Sequence, residues 1–217
     1  TVVFDKTGTL TTGEPVVTDI ISMEHGAWSI KQILQIASSL EKGSEHPLGE
    51  AIWAEANARG LIVGEPSKFL ADAGSGVEAE VDGVRVAVGS LRMMEARGYK
   101  LNGVDVDATR LRSEAKTAMF VAVDGVVQGV IAVADTLKDG SPEAVRALRQ
   151  MGLQLAMITG DNMETASAIA AKVGIDRVLA DVLPDGKSAE IKKLQAGPHQ
   201  GGRRPIVAMV GDGINDA

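Results

Sequence analysis

Four short stretches hold residue types that could move a phosphoryl group. Asp5 stands in Asp5-Lys6-Thr7-Gly8-Thr9-Leu10-Thr11, directly after the apolar run Thr1-Val2-Val3-Phe4. A carboxylate at the end of a buried strand can attack phosphorus and form an aspartyl phosphate, and the glycine and hydroxyls behind it let the backbone curl around an anion. Thr159 opens Thr159-Gly160-Asp161-Asn162 and offers a hydroxyl to a phosphate oxygen. Lys187, in Pro184-Asp185-Gly186-Lys187, offers a positive charge to the same group. Asp212 and Asp216 lie in Gly211-Asp212-Gly213-Ile214-Asn215-Asp216. Two carboxylates ~4 Å apart repel by ~4 kcal/mol at an effective dielectric of about 20. A Mg2+ ion, which favours a couple of carboxylates plus phosphate oxygens, removes that repulsion among Asp5, Asp212 and Asp216.

These residues work only if one scaffold brings them together. The β-branched and aromatic run 1–4 reads as a buried strand, as do 154–158, the short 177–179 and 206–210. Helices follow over 141–152, 163–173 and 184–194, opened by Ser141-Pro142 and closed by Gly152 and Gly174. Strands alternating with helices give a Rossmann-like parallel sheet. With right-handed crossovers its carboxyl ends meet along one edge, where Asp5, Thr159 and Asp212 stand. Each stretch alone reads as a capped turn; it is their convergence that argues for chemistry.

Between these pieces the pattern changes. Thr12-Gly13-Glu14-Pro15 breaks the first segment, and a strand follows over 16–23. Ser29, with Gln32 three residues on, opens a helix that Gly43 stops. Ser44-Glu45-His46-Pro47-Leu48 opens the next, with Pro47 at its first position and His46 exposed at its start. Gly74-Ser75-Gly76 precedes a hairpin, 77–81 and 84–88, turning at Asp82-Gly83. Glycines at its mouth let a flat ligand approach the backbone. Ser90 caps a helix over 91–97, residues 98–106 read as loop and 108–115 as helix, and a second hairpin spans 117–123 and 126–134. Asp135-Thr136-Leu137-Lys138 then reads as a solvated turn rather than an ion-paired hinge. The expected division is a phosphorylation domain, 1–15 and 133–217, with an inserted α+β domain on an antiparallel sheet, 16–132.

Composition bounds the function. The chain is 45% hydrophobic, enough for a core, but only 3% aromatic, so aliphatic residues must fill it. A formal charge of −7 argues against nucleic acid as a partner. Cysteine is absent, which removes thiolate metal sites, and His25, His46 and His199 are scattered, so no transition-metal site is expected in these residues. No run reaches the roughly 18 apolar residues of a membrane helix. The chain reads as a piece cut from a longer protein.

DKTGTLT, TGDN and GDGIND together resemble the phosphorylation core of P-type ATPases, which belong to the haloacid dehalogenase superfamily. SEHPL and the GxG at 74–76 resemble the heavy-metal branch, and EAKTA, DTLK and LPDGKSAEIKKLQ are most similar to its copper-transporting members, with zinc or cadmium pumps the alternative. The resemblance implies that Asp5 takes the γ-phosphate of ATP, with Thr7, Thr159, Lys187 and Asp212 in catalytic roles. It implies Mg2+ held by Asp5, Thr7, Asp212 and Asp216. It implies nucleotide contacts from Glu41, His46, Gly74, Gly76, Gly89 and Asp161, with Ser90 standing where the family has Asn. Thr12-Gly13-Glu14 matches a dephosphorylation motif of these pumps, but the family keeps that motif in a separate actuator domain. Implied partners are ATP and the actuator and transmembrane domains of a parent chain at the cytoplasmic face of a membrane; the transported ion binds elsewhere. A free-standing phosphatase of the superfamily is the alternative, disfavoured because Thr7 stands where such enzymes carry a second Asp.

Overall fold

The structure is a computed structural model that describes residues 1–23, 27–42, 44, 46–72, 75–183, 186–197 and 205–213. Gly43, Gly74, Pro184, Asp185, His25, His199 and Asp216, all singled out above, lie outside the described residues. The chain divides into two compact units: Thr1–Glu14, Ser113–Ala115 and Asp135–Ala217 form the first, Pro15–Arg112 and Lys116–Ala134 the second.

The first unit is built on a parallel sheet of β1 (Val2–Asp5), β8 (Leu155–Ile158), β9 (Arg177–Leu179) and β10 (Ala208–Val210), in the order β10-β1-β8-β9. Alternate residues of the central strands go to opposite faces. Phe4, Leu155 and Met157 pack with Val145 of α5 (Ser141–Gln150) and Ala166, Ile169 and Ala170 of α6 (Met163–Val173). Val3, Ala156 and Ile158 pack with Ile191 and Leu194 of α7 (Lys187–Gln195) on the other. Burial on both faces is why β1 and β8 read as unbroken apolar runs. The register sets Asp5 level with Ile158 and Phe4 level with Val210, so the chain leaves all three strands at one edge.

The second unit is built on a six-stranded sheet, order β2-β7-β6-β5-β4-β3, of which only the start of β2, Thr11–Glu14, and the end of β7, Asp135–Leu137, belong to the first unit. Its strands are β2 (Thr11–Ser22), β3 (Ser67–Asp72), β4 (Gly76–Val81), β5 (Val84–Gly89), β6 (Thr117–Val123) and β7 (Val126–Leu137). Pairing from β3 through β7 is antiparallel. Val86, Val88, Val121 and Ile131 face α1 (Ile30–Glu41) and α2 (Pro47–Ala58), which bury Ile33, Leu34, Leu40 and Ile52 against them. Ala87, Phe120, Ala122 and Val130 face Met93 and Met94 of α3 (Leu91–Ala96) and Leu111 of α4 (Asp105–Ser113).

Several expectations are corrected. The 12–15 stretch does not break the chain: β2 starts at Thr11 and runs through Pro15. It is an edge strand, where a residue without an N–H is tolerated. The strand expected to end at 134 continues to Leu137, so Asp135 is no solvated turn residue. Ser141 does not cap α5, whose N-cap is Gly140; its hydroxyl donates to the Leu10 carbonyl (2.9 Å). The helix expected over 108–115 runs over Asp105–Ser113. The capping box of Ser29 and the cap of Ser90 form as expected.

Candidate functional site

In the first unit, β1 delivers Asp5 into a wide turn over Lys6–Leu10 that the Thr11 N–H closes on the Lys6 carbonyl. Asp5 is buried, and its Oδ1 accepts the Lys6 N–H (2.9 Å) while Oδ2 meets Lys187 Nζ at 2.9 Å. Lys187, the first residue of α7, is buried too. Carboxylate and ammonium, far apart in sequence, are thus brought into direct contact at the edge where the strands end. Thr7 follows exposed, with extended backbone.

Gly8 makes the turn possible. Its φ is +73°, and a Cβ there would stand 2.6 Å from Asp212 Oδ2, so the Asp212 carboxylate lies against the turn that Asp5 opens. Thr159 is buried just past β8; its hydroxyl accepts the Asp161 N–H (3.1 Å) and shapes that loop. Asp5, Lys187, Thr159 and Asp212 therefore gather at the same sheet edge, while Asp216 lies outside the described residues.

A second layer of charge supports this edge and was not read from the sequence. Lys6, buried beneath the turn, pairs with Asp161 (3.0 Å) and lies 3.9 Å from Asp135. Asp135 also accepts from the Thr11 hydroxyl (2.5 Å), the Thr12 hydroxyl (3.2 Å) and the Gly13 N–H (2.9 Å). Lys138 donates to the Gly8 carbonyl rather than to Asp135. The strand-to-turn geometry behind Asp5 is thus tied by ion pairs and hydrogen bonds to the end of β7. An ionisable pair spanning the DKTG and TGDN stretches was the signal available.

Among the described residues no three His, Asp or Glu side chains cluster to hold a metal. Mg2+ takes one or two carboxylates and completes its shell with water and phosphate oxygens. Asp5 and Asp212, both at the Lys6–Leu10 turn, fit such an ion.

The second unit carries a cavity of about 670 Å3 between the end of α1, the start of α2, β3 and the β4–β5 mouth. Its wall includes Glu41, His46, Gly76 and Gly89, so four of the six residues expected to meet a nucleotide come together. Gly74 lies outside the described residues, and Asp161, paired with Lys6, is not in the wall. His46 is exposed and caps α2: its Nδ1 accepts the Leu48 N–H (3.2 Å), which places the ring proton on Nε2. Glu41 is buried; burial pushes its carboxyl above the ordinary range, against the opposing effect of a Ser44 hydrogen bond and the neighbouring His46. Gly76 and Gly89 are register partners, and a Cβ on either would stand 2.5 Å from Met93 Sδ, so both are needed for packing as well as for access. Leu48, Phe69, Ala71 and Val77 make the remaining wall largely apolar. Ser90 lines it while capping α3 through the Met93 N–H (3.3 Å).

A parallel sheet that presents a buried Asp beside Lys at its carboxyl edge, with a second domain inserted after the first strand, defines a class. The chain belongs to the haloacid dehalogenase-like hydrolases, matching that family over residues 1–217. The similarity is narrower still. It is 49% identical over 218 residues to a probable copper-exporting P-type ATPase V of Mycobacterium tuberculosis, covering 100% of this chain and 27% of that one. It is 43% identical over 217 residues to a silver-exporting P-type ATPase of Salmonella typhimurium, again over 100% of this chain and 25% of the relative. A crystal structure of a zinc-transporting PIB-type ATPase superposes with a TM-score of 0.83 at 36% identity, covering 99% of this chain and 33% of that one. The chain thus spans about a quarter of the length of the curated relatives it matches. The resemblance to heavy-metal P-type ATPases that the motifs suggested holds along its whole length.

Proposed function

We propose that this chain is the ATP-binding and phosphorylation core of a heavy-metal P-type ATPase and that Asp5 accepts the γ-phosphate of ATP. The observation that carries the reading is the Asp5–Lys187 contact of 2.9 Å at the carboxyl edge of the parallel sheet, with Asp212 against the same turn. Asp5 Oδ attacks the γ-phosphorus, the bond to the β,γ-bridging oxygen breaks and ADP leaves, giving an aspartyl phosphate. Lys187 balances charge on the transferred group, and the Thr159 hydroxyl contacts one of its oxygens. Mg2+, held by Asp5 and Asp212 with Thr7 and Asp216 completing the set, would neutralise the phosphate charge. The first unit is then the phosphorylation domain and the second the nucleotide-binding domain.

Adenine occupies the second unit's cavity. His46 Nε2–H and Glu41 supply a donor and an acceptor, and the glycine pair leaves room for the flat base. Copper is the proposed cargo of the parent pump, supported by the names of relatives 43–49% identical, which are copper or silver exporters; the zinc pump is less similar, at 36%. The remaining three quarters of such a parent would supply actuator and membrane domains, with this core on the cytoplasmic face. Among the described residues no helix is long and apolar enough to cross a membrane.

Two titrations test the two halves. Beryllium fluoride should bind with Mg2+ to the wild type and fail with Asp5→Asn; binding that survives the substitution removes Asp5 as acceptor. In calorimetry His46→Ala should weaken ATP binding by ~1–3 kcal/mol, the scale of an unsatisfied polar contact. An unchanged affinity would take His46 out of the site.

A further inference from the structure

We propose that Gly49 is a positioning residue of the nucleotide cavity: by having no side chain it leaves the seat from which the Glu41 carboxylate meets the 6-amino group of adenine. The inference rests on the reading of this cavity as an adenine site.

Gly49 is the third residue of α2 and buried. Its φ lies outside the left-handed region, so the backbone there does not require glycine. A glycine in a helix is about 1 kcal/mol less favourable than alanine. Space explains it. A Cβ on Gly49 would overlap Glu41 Oε2 and stand 2.5 Å from Ser44 Oγ and 2.8 Å from Ser44 Cβ. The carboxylate occupies the place that an alanine methyl would fill. Glu41 ends α1, and its side chain reaches across to α2 where Gly49 leaves room. Burial there raises its carboxyl, and the Ser44 hydrogen bond works against that rise. The group is therefore held in a fixed seat, and Glu41 is one of the residues that line the cavity.

An alanine at 49 meets the Glu41 carboxylate and the Ser44 hydroxyl, which can rotate away, and Ser44 Cβ at 2.8 Å, which yields only if the backbone at 44 shifts slightly. The ligand separates a positioning role from a structural one: the substitution should cost affinity for what Glu41 reads and spare a purine that lacks the 6-amino group.

The experiment is calorimetric titration of wild type, Gly49→Ala, Glu41→Ala and the double variant with ATP and with purine riboside triphosphate, which lacks only the 6-amino group, alongside thermal melting. Gly49→Ala should bind ATP roughly tenfold more weakly, the loss of one charge-assisted hydrogen bond. It should bind the purine analogue as the wild type does and melt in a single cooperative transition like the wild type. The double variant should bind ATP no more weakly than Glu41→Ala, because both changes remove one contact. An unchanged ATP affinity in Gly49→Ala, equal losses for both nucleotides, or fully additive losses would overturn the inference. If Glu41→Ala abolishes the preference for ATP while Gly49→Ala keeps it, only the role of Gly49 falls. If neither variant changes the preference, or the wild type binds no ATP, the adenine reading falls with it.

Discussion

Replacing Lys187 by Met removes the ammonium beside Asp5 and keeps most of the stem. Both side chains are close to buried, 10% and 8% exposed, and Nζ lies 2.9 Å from Oδ2. Unit charges 2.9 Å apart attract by roughly 6 kcal/mol at an effective dielectric of about 20. Desolvation of the two ions offsets part of this, and breaking one side of a buried pair destabilises by about 3–5 kcal/mol because a charge is left behind. Lys187→Met should therefore lower the unfolding free energy by about 3 kcal/mol. Asp5→Asn added to it should restore most of the loss, since a neutral amide needs no cation. Urea melts of the four proteins close the cycle. In parallel, phosphorylation of Lys187→Met should slow by about 10²–10³, the usual effect of removing one preorganised charge or donor. A single variant as stable as the wild type, or a double variant no more stable than Lys187→Met, would refute the coupling.

Other outcomes follow from the same geometry. Gly8→Ala should strain the turn by about 1–2 kcal/mol, as any left-handed residue with a Cβ does. It should also push Asp212 aside, so that beryllium fluoride binding needs severalfold more Mg2+; an unchanged Mg2+ requirement would show that Asp212 is not where the ion sits. Acid stability should depend on Glu78, where burial pushes the carboxyl up but hydrogen bonds from Tyr99 and Arg85 and the Arg97 charge hold it below its ordinary 4.5. Its folded value lies below its unfolded value, so its contribution is present above about 4.5 and lost as pH falls through the depressed value. Glu78→Gln should flatten that acid limb. Glu41 has the opposite sign: its raised carboxyl makes stability fall as pH rises from about 4.5, and Glu41→Gln should remove that fall. An unchanged acid limb in Glu78→Gln would exclude Glu78 as its source, and a fall with rising pH that persists in Glu41→Gln would exclude Glu41.

The parts most legible in the sequence were those whose physics is local. β1 and β8 are buried on both faces and read as continuous apolar runs; Ser29, His46 and Ser90 sit at helix starts where their side chains cap. Asp5, Thr159, Lys187 and Asp212 could be brought together on paper because parallel topology sends every strand's carboxyl end to one edge. β3 escaped notice because all six of its residues are exposed at a sheet edge and carry no burial alternation. Pro15 misled because its cost depends on whether a strand is central or at an edge, which only the assembled sheet decides. The buried Lys6–Asp161–Asp135 group and the Gly49 seat for Glu41 are products of tertiary packing. Their residues are ordinary in sequence, and only the approach of distant segments gives them a role.

The central claim is that Asp5 carries the phosphoryl group. The most direct measurement is incubation of the chain with γ-labelled ATP and Mg2+, acid quench, and mass-spectrometric mapping of the labelled peptide. An acyl phosphate on Asp5, stable in acid, released by hydroxylamine, dependent on Mg2+ and absent from Asp5→Asn, is the predicted result. Label on another residue, or a phosphoprotein that forms equally well in Asp5→Asn, would contradict it.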